Sequence, residues 1–396
     1  MVLAVGAGAT AALSAVQGGL PALGPVIQHA FGLSLVEVTA VFTAFALGTV
    51  STLLAWGVLA DRVGERPVIG FGLTAGSLAM AATAAMDGYA ALLGGVVVAG
   101  MLGSSAVAAS GRAVFGWFPR SERGLALGLR QTAVPAGAAV ASLSLPPIAV
   151  ATSVDVALYA LAGGMLVAAL AAAIWLRDGP PPSSGAPPAP NAARDRRIWR
   201  LSAASALMII GQIGVTSLLV LYLYGERGWS AQDAALALGT VQLGAAAARI
   251  AAGRWSDRRD ERIQPFRRLA ALAGGLLLAA AALAPAPAAI AVPVLMAGGI
   301  AAMSWNGLSF TAAAEISGRR QAGKAMGIQN TAMRLVAAGV PVGLGALASG
   351  ISWTAVFVVM GVTPLLARAL LTPLVEDEHR RRRERRRRLA GEAVRA

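Results

Sequence analysis

Long apolar runs are the feature that most constrains the fold of this chain. Twelve runs of about 20 mostly apolar residues follow one another, and about 20 such residues suffice to cross the hydrocarbon core of a bilayer. A segment in hydrocarbon must satisfy its own backbone hydrogen bonds, so each run is expected to be an α-helix. The predicted spans are residues 2–27, 37–60, 67–86, 90–117, 123–150, 154–176, 199–224, 231–256, 266–284, 288–314, 322–349 and 353–374.

The composition supports an all-α membrane protein and argues against an enzyme. Hydrophobic residues make up 57% of the chain and charged residues 13%, against roughly 25% charged in soluble domains. There is no cysteine and there are only two histidines, so no disulfide, cofactor or metal site is predicted. The chain also lacks HExxH and GxSxG motifs, so no enzymatic activity is predicted. Lys324 is the sole lysine beside many arginines, a skew that is typical of GC-rich genomes and predicts a bacterial source.

Basic residues alternate along the connections between the predicted spans. Connections after odd-numbered spans contain one basic residue, Arg227, whereas those after even-numbered spans contain many. Because Lys and Arg collect on the cytoplasmic side of membranes, we expect a multi-pass plasma-membrane protein with both termini in the cytoplasm. The loops and a basic tail account for the net charge of +14, so no nucleic-acid partner is predicted. The basic connections contain Arg62 and Arg66, Arg120 and Arg123, residues 194–200, residues 258–268, then Arg319, Arg320 and Lys324.

A proline-rich segment over residues 177–198 predicts a cytoplasmic linker. It separates residues 1–176 from residues 199–374, each with six predicted helices, and residues 375–396 form a basic tail. The two halves repeat, since GLALGLRQTA from position 124 matches GKAMGIQNTA from position 323, an offset of 199 (323 minus 124).

A tight charged loop is repeated at nearly the same offset. Gly57–Ile69 reads GVLADRVGERPVI, and Gly253–Arg262 reads GRWSDRRDER. The first copy resembles the G-x-L-A-D-R-x-G-R-[RK] loop of the major facilitator superfamily, with Glu65 where a basic residue is usual. The resemblance covers the whole chain and implies twelve transmembrane helices in two pseudo-symmetric six-helix bundles related about the membrane normal. It also implies a monomer that works as a secondary active transporter by alternating access.

The same resemblance implies a gate on the cytoplasmic side. In this superfamily the loop is a latch that is bonded while the cavity faces outward and released when it faces inward. Glycine at position 57 would let a neighbouring helix approach, and Gly64 would permit the tight turn. The second copy has Asp260 in place of that glycine, which predicts a looser latch. The alternative is that these charges only anchor the loops. The predicted gate residues are Gly57, Asp61, Arg62, Gly64, Arg66, Glu122, Arg123, Gly253, Asp257 and Arg258.

Four arginines inside predicted spans are the main clue to the substrate: Arg112, Arg130, Arg249 and Arg334. Charges inside a membrane are costly, which makes each of them a functional hypothesis. Arg334 lies roughly 18 Å along its helix, near the middle of the bilayer. No carboxylate is predicted at comparable depth, so a substrate carboxylate would supply the missing anion through paired hydrogen bonds. Alternatively, these arginines snorkel to the interface or pair with acids of the gate.

A second, weaker resemblance favours the same substrate class. The pattern Arg249-x-x-x-Gly253-x-x-Ser256-Asp257 is similar to the eighth helix of monocarboxylate and oxalate transporters, where the arginine contacts the substrate carboxylate. Oxalate transporters also have a basic residue in helix eleven, where Arg334 lies. The predicted binding residues are Arg334, Arg130, Arg249, Arg112, Gln17, Gln212, Trp305 and Asn306.

The predicted partners are a small organic anion, a co-transported proton and membrane lipid. Three alternatives stay open at this point: proton-coupled efflux of drugs or other amphipathic compounds, transport of sugars or unrelated solutes, and a membrane sensor that transports nothing.

Overall fold

The structure, a computed structural model, describes residues 1–110, 123–177, 192–318 and 321–393. The described chain is helical apart from short connections, and twelve of its helices are long and apolar enough to cross a membrane. The predicted fold class, an all-α protein with twelve membrane-spanning helices, is confirmed.

The first half begins with α1 at Val2–Ala22, which breaks at Leu23 and continues as a short helix over Gly24–Phe31. Pro21 and Pro25 flank this break, and proline removes a backbone donor and strains the preceding turn. Then follow α2 (Leu35–Val63), α3 (Glu65–Ala84), α4 (Tyr89–Gly103), α5 (Arg123–Ala151) and α6 (Val154–Trp175).

The second half repeats this order after a 3-10 turn at Ala192–Arg194. Its tenth helix consists of two pieces, which we label α10a and α10b. The helices are α7 (Arg196–Gly225), α8 (Ala231–Arg259), α9 (Ile263–Ala282), α10a (Ala288–Met303), α10b (Asn306–Ser317), α11 (Ala322–Gly350) and α12 (Trp353–Ala393).

Most predicted boundaries lie within about three residues of the structure, and two of the differences have a clear structural cause. Helix α7 begins at Arg196 instead of residue 199, because the carboxylate of Asp195 caps it by accepting from the backbone N–H of Arg197. Helix α12 does not end at residue 374 but continues to Ala393. The segment from Leu374 to Leu389 contains no glycine or proline and is rich in arginine and glutamate, which favour a helix. The described part of the predicted tail is therefore a helical extension.

Helices four and ten break at equivalent serines. Ser104 ends α4 before residues 105–110 resume a helix, and Ser304 separates α10a from α10b. Each serine hydroxyl donates to the carbonyl three residues earlier, Ser104 to Met101 at 2.9 Å and Ser304 to Ala301 at 2.8 Å. The two breaks are 200 positions apart (304 minus 104), so the internal repeat extends to the irregularities of the helices.

The two halves touch chiefly through α2 with α11 and α5 with α8. Several of these contacts lie at one end of the bundle, which we call the closed end. There, the Val342 N–H donates to Thr43 Oγ1 at 3.2 Å, and Gly345 packs directly on the side chain of Thr39. The other end, which carries residues 62–66 and 258–268, is called the basic end below.

The close packing at Gly345 can be tested against its neighbour Gly343. A side chain on Gly345 would collide with Thr39, whereas one on Gly343 would meet no atom of the described chain within 4 Å. We expect Gly345→Leu to cost about 1–3 kcal/mol of stability through overpacking, with a lower melting temperature in detergent. Gly343→Leu is the matched control and should melt like the unchanged protein. Equal melting temperatures for the two variants would show that the halves do not meet here.

Candidate substrate site and gate

Arg334 has no hydrogen-bond or ion-pair partner among the described residues. It lies 12 residues into α11 (334 minus 322), roughly 18 Å from the start of that helix. Its side chain is half-buried, its Nε is fully buried without a hydrogen bond, and it forms no hydrogen bond or ion pair with any described residue. A buried cation in this state is costly unless an anion is supplied from elsewhere.

Arg130 on α5 has one hydrogen bond with the described chain. Its Nη1 donates to Ser110 Oγ at 3.1 Å, and that hydroxyl is 3.1 Å from Thr10 Oγ1 on α1. The Nε of Arg130 is buried without a partner. Arg130 also lies within electrostatic range of Arg334. Two cations from opposite halves of the protein are therefore close enough to repel each other.

The second half contains the same triad with a neutral residue in place of Arg130. Gln329 Nε2 donates to Ser309 Oγ at 2.5 Å and to Ser205 Oγ at 2.9 Å. Gln329 and Ser309 each lie 199 positions after Arg130 and Ser110 (329 minus 130, 309 minus 110). A neutral donor thus suffices to hold such a triad, and packing alone gives no reason for a charge at Arg130.

Arg249 on α8, in contrast, is well partnered. Its Nε donates to the Met303 carbonyl at 2.7 Å, Nη1 to the Gln131 carbonyl at 2.8 Å, and Nη2 to Asn306 Oδ1 at 2.9 Å. Met303 and Asn306 flank the break in α10, where backbone groups lack helical partners. Gln131 belongs to the other half, so Arg249 also ties the two halves together. Arg249 and Asn306 were both predicted to bind substrate, and the structure brings them together. They are hydrogen-bonded to each other.

The remaining predicted binding residues fall into three groups. Gln17 and Gln212 are half-exposed; Gln17 has no hydrogen bond with the described chain, and Gln212 Oε1 is buried without one. Trp305 does not line a cavity as predicted. It is fully buried and stacks on Phe266 of α9 at 5.2 Å, because the break at Ser304 turns it into the second half. Arg112 lies outside the described residues.

The first copy of the gate motif is described in part. Gly64 has a φ of +95°, so the prediction that glycine permits this turn is confirmed. Arg66 Nε donates to the Ala173 carbonyl at 2.7 Å and so caps the end of α6. Arg62 is exposed and unpaired among the described residues. The close helix approach expected at Gly57 is absent, since a side chain there would meet no described atom within 4 Å. The side chain of Asp61 lies outside the description, as do Glu122 and the side chain of Arg123.

The second copy is held within its own half by Arg262, a residue that the sequence did not single out. Arg262 pairs with Asp257 at 2.5 Å and with Glu315 of α10b at 3.0 Å. Burial alone would lower the pKa of Arg262, but the bonds to Glu315 and then Asp257 outweigh it and raise the pKa. Asp260, which stands where the first copy has Gly64, adopts the left-handed turn at a φ of +52°, and the looser latch predicted for this copy stays a prediction.

The basic end also contains two further predicted gate residues and one glutamate that the sequence analysis did not identify. Gly253, like Gly57, has no described neighbour within 4 Å of a side chain placed there, and Arg258 is exposed and unpaired among the described residues. Glu378 of α12 accepts from the backbone N–H groups of Arg262 and Ile263 at 2.6 and 3.2 Å. It thereby caps α9, a role that was missed because the chain beyond residue 374 was not expected to be helical.

Twelve membrane-length helices in two repeated halves define the class of this protein, a multi-pass membrane transport protein. Among the described residues, no three histidine or acidic side chains are grouped so that they could hold a metal ion. Residues 5–341 match the sequence family described as Major Facilitator Superfamily, and the chain belongs to that superfamily.

Relatives and solved structures agree with this assignment. An uncharacterised MFS-type transporter of Mycobacterium tuberculosis (strain ATCC 25618 / H37Rv) is 35% identical over 376 residues, which cover 93% of this chain and 84% of that protein. A hexuronate transporter of Bacillus subtilis (strain 168) is 27% identical over 153 residues, or 39% of this chain and 36% of that protein. A bacterial homologue of the human lysosomal transporter Spinster, solved in an inward-facing and occupied conformation, has the same fold. Its TM-score is 0.77 at 16% identity, over 95% of this chain and 96% of that one.

The different environments of Arg249 and Arg334 predict opposite effects on stability. Arg249→Gln leaves the carbonyls of Met303 and Gln131 without their donor, at a cost of about 1–3 kcal/mol for each unsatisfied group. We therefore expect a clearly lower melting temperature for this variant. Arg334→Gln breaks no bond with the described chain and removes an unpaired charge, so its melting temperature should be unchanged or higher. A large loss of stability in Arg334→Gln would contradict the unpartnered environment described above.

Proposed function

We propose that this protein is a secondary active transporter that moves a small organic anion by alternating access, with Arg334 and Arg130 as the carboxylate-binding residues. The observation that carries the proposal is the guanidinium of Arg334, which is deep in the membrane-spanning region and has no partner among the described residues. Arginine is well suited to a carboxylate because its planar fork makes two parallel hydrogen bonds.

Arg130 supports the proposal by its charge and by its position. It lies in electrostatic range of Arg334, and two like charges facing one region repel each other unless an anion lies between them. Its bond to Ser110 fixes one side of the guanidinium, while its buried Nε has no hydrogen-bond partner in the described chain. Gln212, whose buried Oε1 also lacks a partner, is a candidate for contacts with the rest of the substrate.

Arg249 has a supporting role in the proposed site. Three of its nitrogens already donate to protein oxygens, so it holds the α10 break and the facing half in place. This assignment differs from the sequence-based expectation that Arg249 contacts the carboxylate.

The hexuronate transporter of Bacillus subtilis adds a chemical argument for the substrate class. A hexuronate is a sugar acid and carries a carboxylate, and the two chains are 27% identical over 153 residues. This match covers 39% of the chain, so it supports an acidic substrate in general terms and leaves the identity of the acid to experiment.

The contacts between the halves support a conformation that is open at the basic end. Packing is close where Gly345 meets Thr39, whereas Gly57 and Gly253 at the basic end face open space within the described chain. If the basic end is cytoplasmic, as the distribution of arginines predicts, this conformation faces inward. In the superfamily the loop at Gly57 is released in that state, in agreement with its open environment here.

The substrate assignment is tested by uptake into liposomes containing the purified protein. Labelled monocarboxylates, dicarboxylates and sugar acids are offered, together with the neutral amide of each acid that is transported. We expect at least one acid to be taken up and its amide to be rejected. Arg334→Gln should reduce uptake at least about thirtyfold, since loss of a buried charge partner costs about 2–5 kcal/mol.

Arg130→Gln is the informative second variant, because it installs the residue found at the equivalent position in the other half. It should keep the hydrogen bond to Ser110 and lose the charge, so we expect a normal melting temperature with strongly reduced uptake. Arg383→Gln, an exposed position on the extension of α12, removes the same charge far from the site and should transport normally. If no acid is transported, or if Arg334→Gln transports as well as the unchanged protein, the carboxylate site is wrong.

The orientation is tested independently by cysteine labelling, because the natural chain has no cysteine. We expect a membrane-impermeant maleimide added to intact cells to label Thr152→Cys, which lies in a connection opposite the basic end. It should not label Arg258→Cys at the basic end until the membrane is permeabilised. The reverse pattern would place the basic end outside the cell and leave the carboxylate site to be judged by the uptake experiments.

A further inference from the structure

A second basic site lies on the outer surface of the second half, away from the proposed substrate site. It is a groove of about 240 Å³ between α9 and α12, close to the basic end, and we call it the arginine groove. Three arginines and two other residues line it: Gln264, Arg267, Arg268, Ala271 and Arg368. None of the lining residues is acidic.

The three arginines have few partners within the described chain. Arg267 has a fully buried Nε without a hydrogen bond, and its Nη1 donates only to Gln264 Oε1, at 3.3 Å. The guanidinium of Arg268 is exposed and lies 5.8 Å from the ring centre of Trp255. Arg368 is exposed and has no ion pair with a described residue. Three positive charges thus converge on one groove without a carboxylate to balance them.

The surroundings of the groove are those of a membrane interface. Leu272, one helical turn beyond Arg268, is 52% exposed, and Leu366 of α12 is 51% exposed. Such exposed leucines on membrane-spanning helices face acyl chains. Trp255 belongs to the residue types that concentrate at the level of lipid headgroups. An occupant of the groove would therefore meet positive charge at its head and apolar side chains along its tail.

We propose that the arginine groove binds the phosphate of an anionic phospholipid whose acyl chains lie along α9 and α12. The guanidinium groups of Arg268 and Arg368 hold phosphate oxygens through charge-assisted hydrogen bonds, and the positive charge of Arg267 adds to the attraction. Basic pockets between transmembrane helices are suited to anionic headgroups. The bound lipid offsets part of the positive charge of the groove and fixes the packing of α9 on α12 at the basic end.

The test measures lipid binding by native mass spectrometry and thermal stability in detergent. The full chain is titrated with phosphatidylglycerol, with phosphatidylcholine, and with inorganic phosphate up to millimolar concentration. The variant is Arg268→Gln with Arg368→Gln, which changes only the two exposed arginines and is expected to fold. The matched control is Arg380→Gln with Arg383→Gln, which removes the same charge from the extension of α12 outside the groove.

We expect phosphatidylglycerol to bind and raise the melting temperature of the unchanged protein, with phosphatidylcholine much weaker. The groove variant should bind phosphatidylglycerol about 25-fold more weakly, because each basic side chain near an anionic lipid contributes a factor of about five. The control should bind like the unchanged protein.

Three results would overturn the proposal. The first is an equal loss in groove variant and control, which would mean general attraction to a basic surface. The second is equal binding of phosphatidylcholine, which would mean that charge is not recognised. The third is full stabilisation by inorganic phosphate, which would mean a free anion site. None of these outcomes depends on the identity of the transported substrate.

Discussion

The lack of water in the hydrocarbon core is the constraint on which the rest of this structure depends. A polar group there must find a partner within the protein or remain at considerable cost. The break in α4 exposes the Met101 carbonyl, which accepts from Thr52 at 2.6 Å and from Trp56 at 2.7 Å. At the break in α10, Arg249 donates to the Met303 carbonyl. Helices two and eight thus supply the missing donors, which explains why a charged residue in α8 is compatible with a stable fold.

The internal repeat separates structural polar residues from those that need another explanation. In both halves a polar residue on helix five or eleven bonds a serine on helix four or ten, as Arg130 does with Ser110 and Gln329 with Ser309. The shared part of this arrangement is the hydrogen bond, and the difference between the halves is the charge. This charge is added to a scaffold able to do without it and raises the cost of burial, and it is the reason for proposing Arg130 as a ligand-binding residue.

The sequence predicted the helices better than the directions of their side chains. The spans could be predicted because each needs about 20 apolar residues. The turn at Gly64 could be predicted because few residues other than glycine adopt its φ. The break at Ser304 was missed, since a serine hydroxyl bonds its own backbone in many settings and no proline marks the site. That break places Trp305 against Phe266 and leaves the Met303 carbonyl to be satisfied by Arg249. Glu378 was missed for a different reason, the unexpected helical extension beyond residue 374.

The proposed site also offers a reason why binding and closure should be coupled. Arg130 belongs to the first half and Arg334 to the second, so closing the basic end brings two like charges together when the site is empty. At 4 Å and an effective dielectric constant of 20, such a pair repels by about 4 kcal/mol. Reversing a conformational preference from 1:99 to 99:1 needs about 5.5 kcal/mol of differential binding. An anion between the two guanidiniums would replace this repulsion with two attractions, and so would favour the closed arrangement. On this argument the charge of the substrate, more than its shape, permits the loaded protein to close. In the empty protein, the repulsion between the two arginines opposes closure.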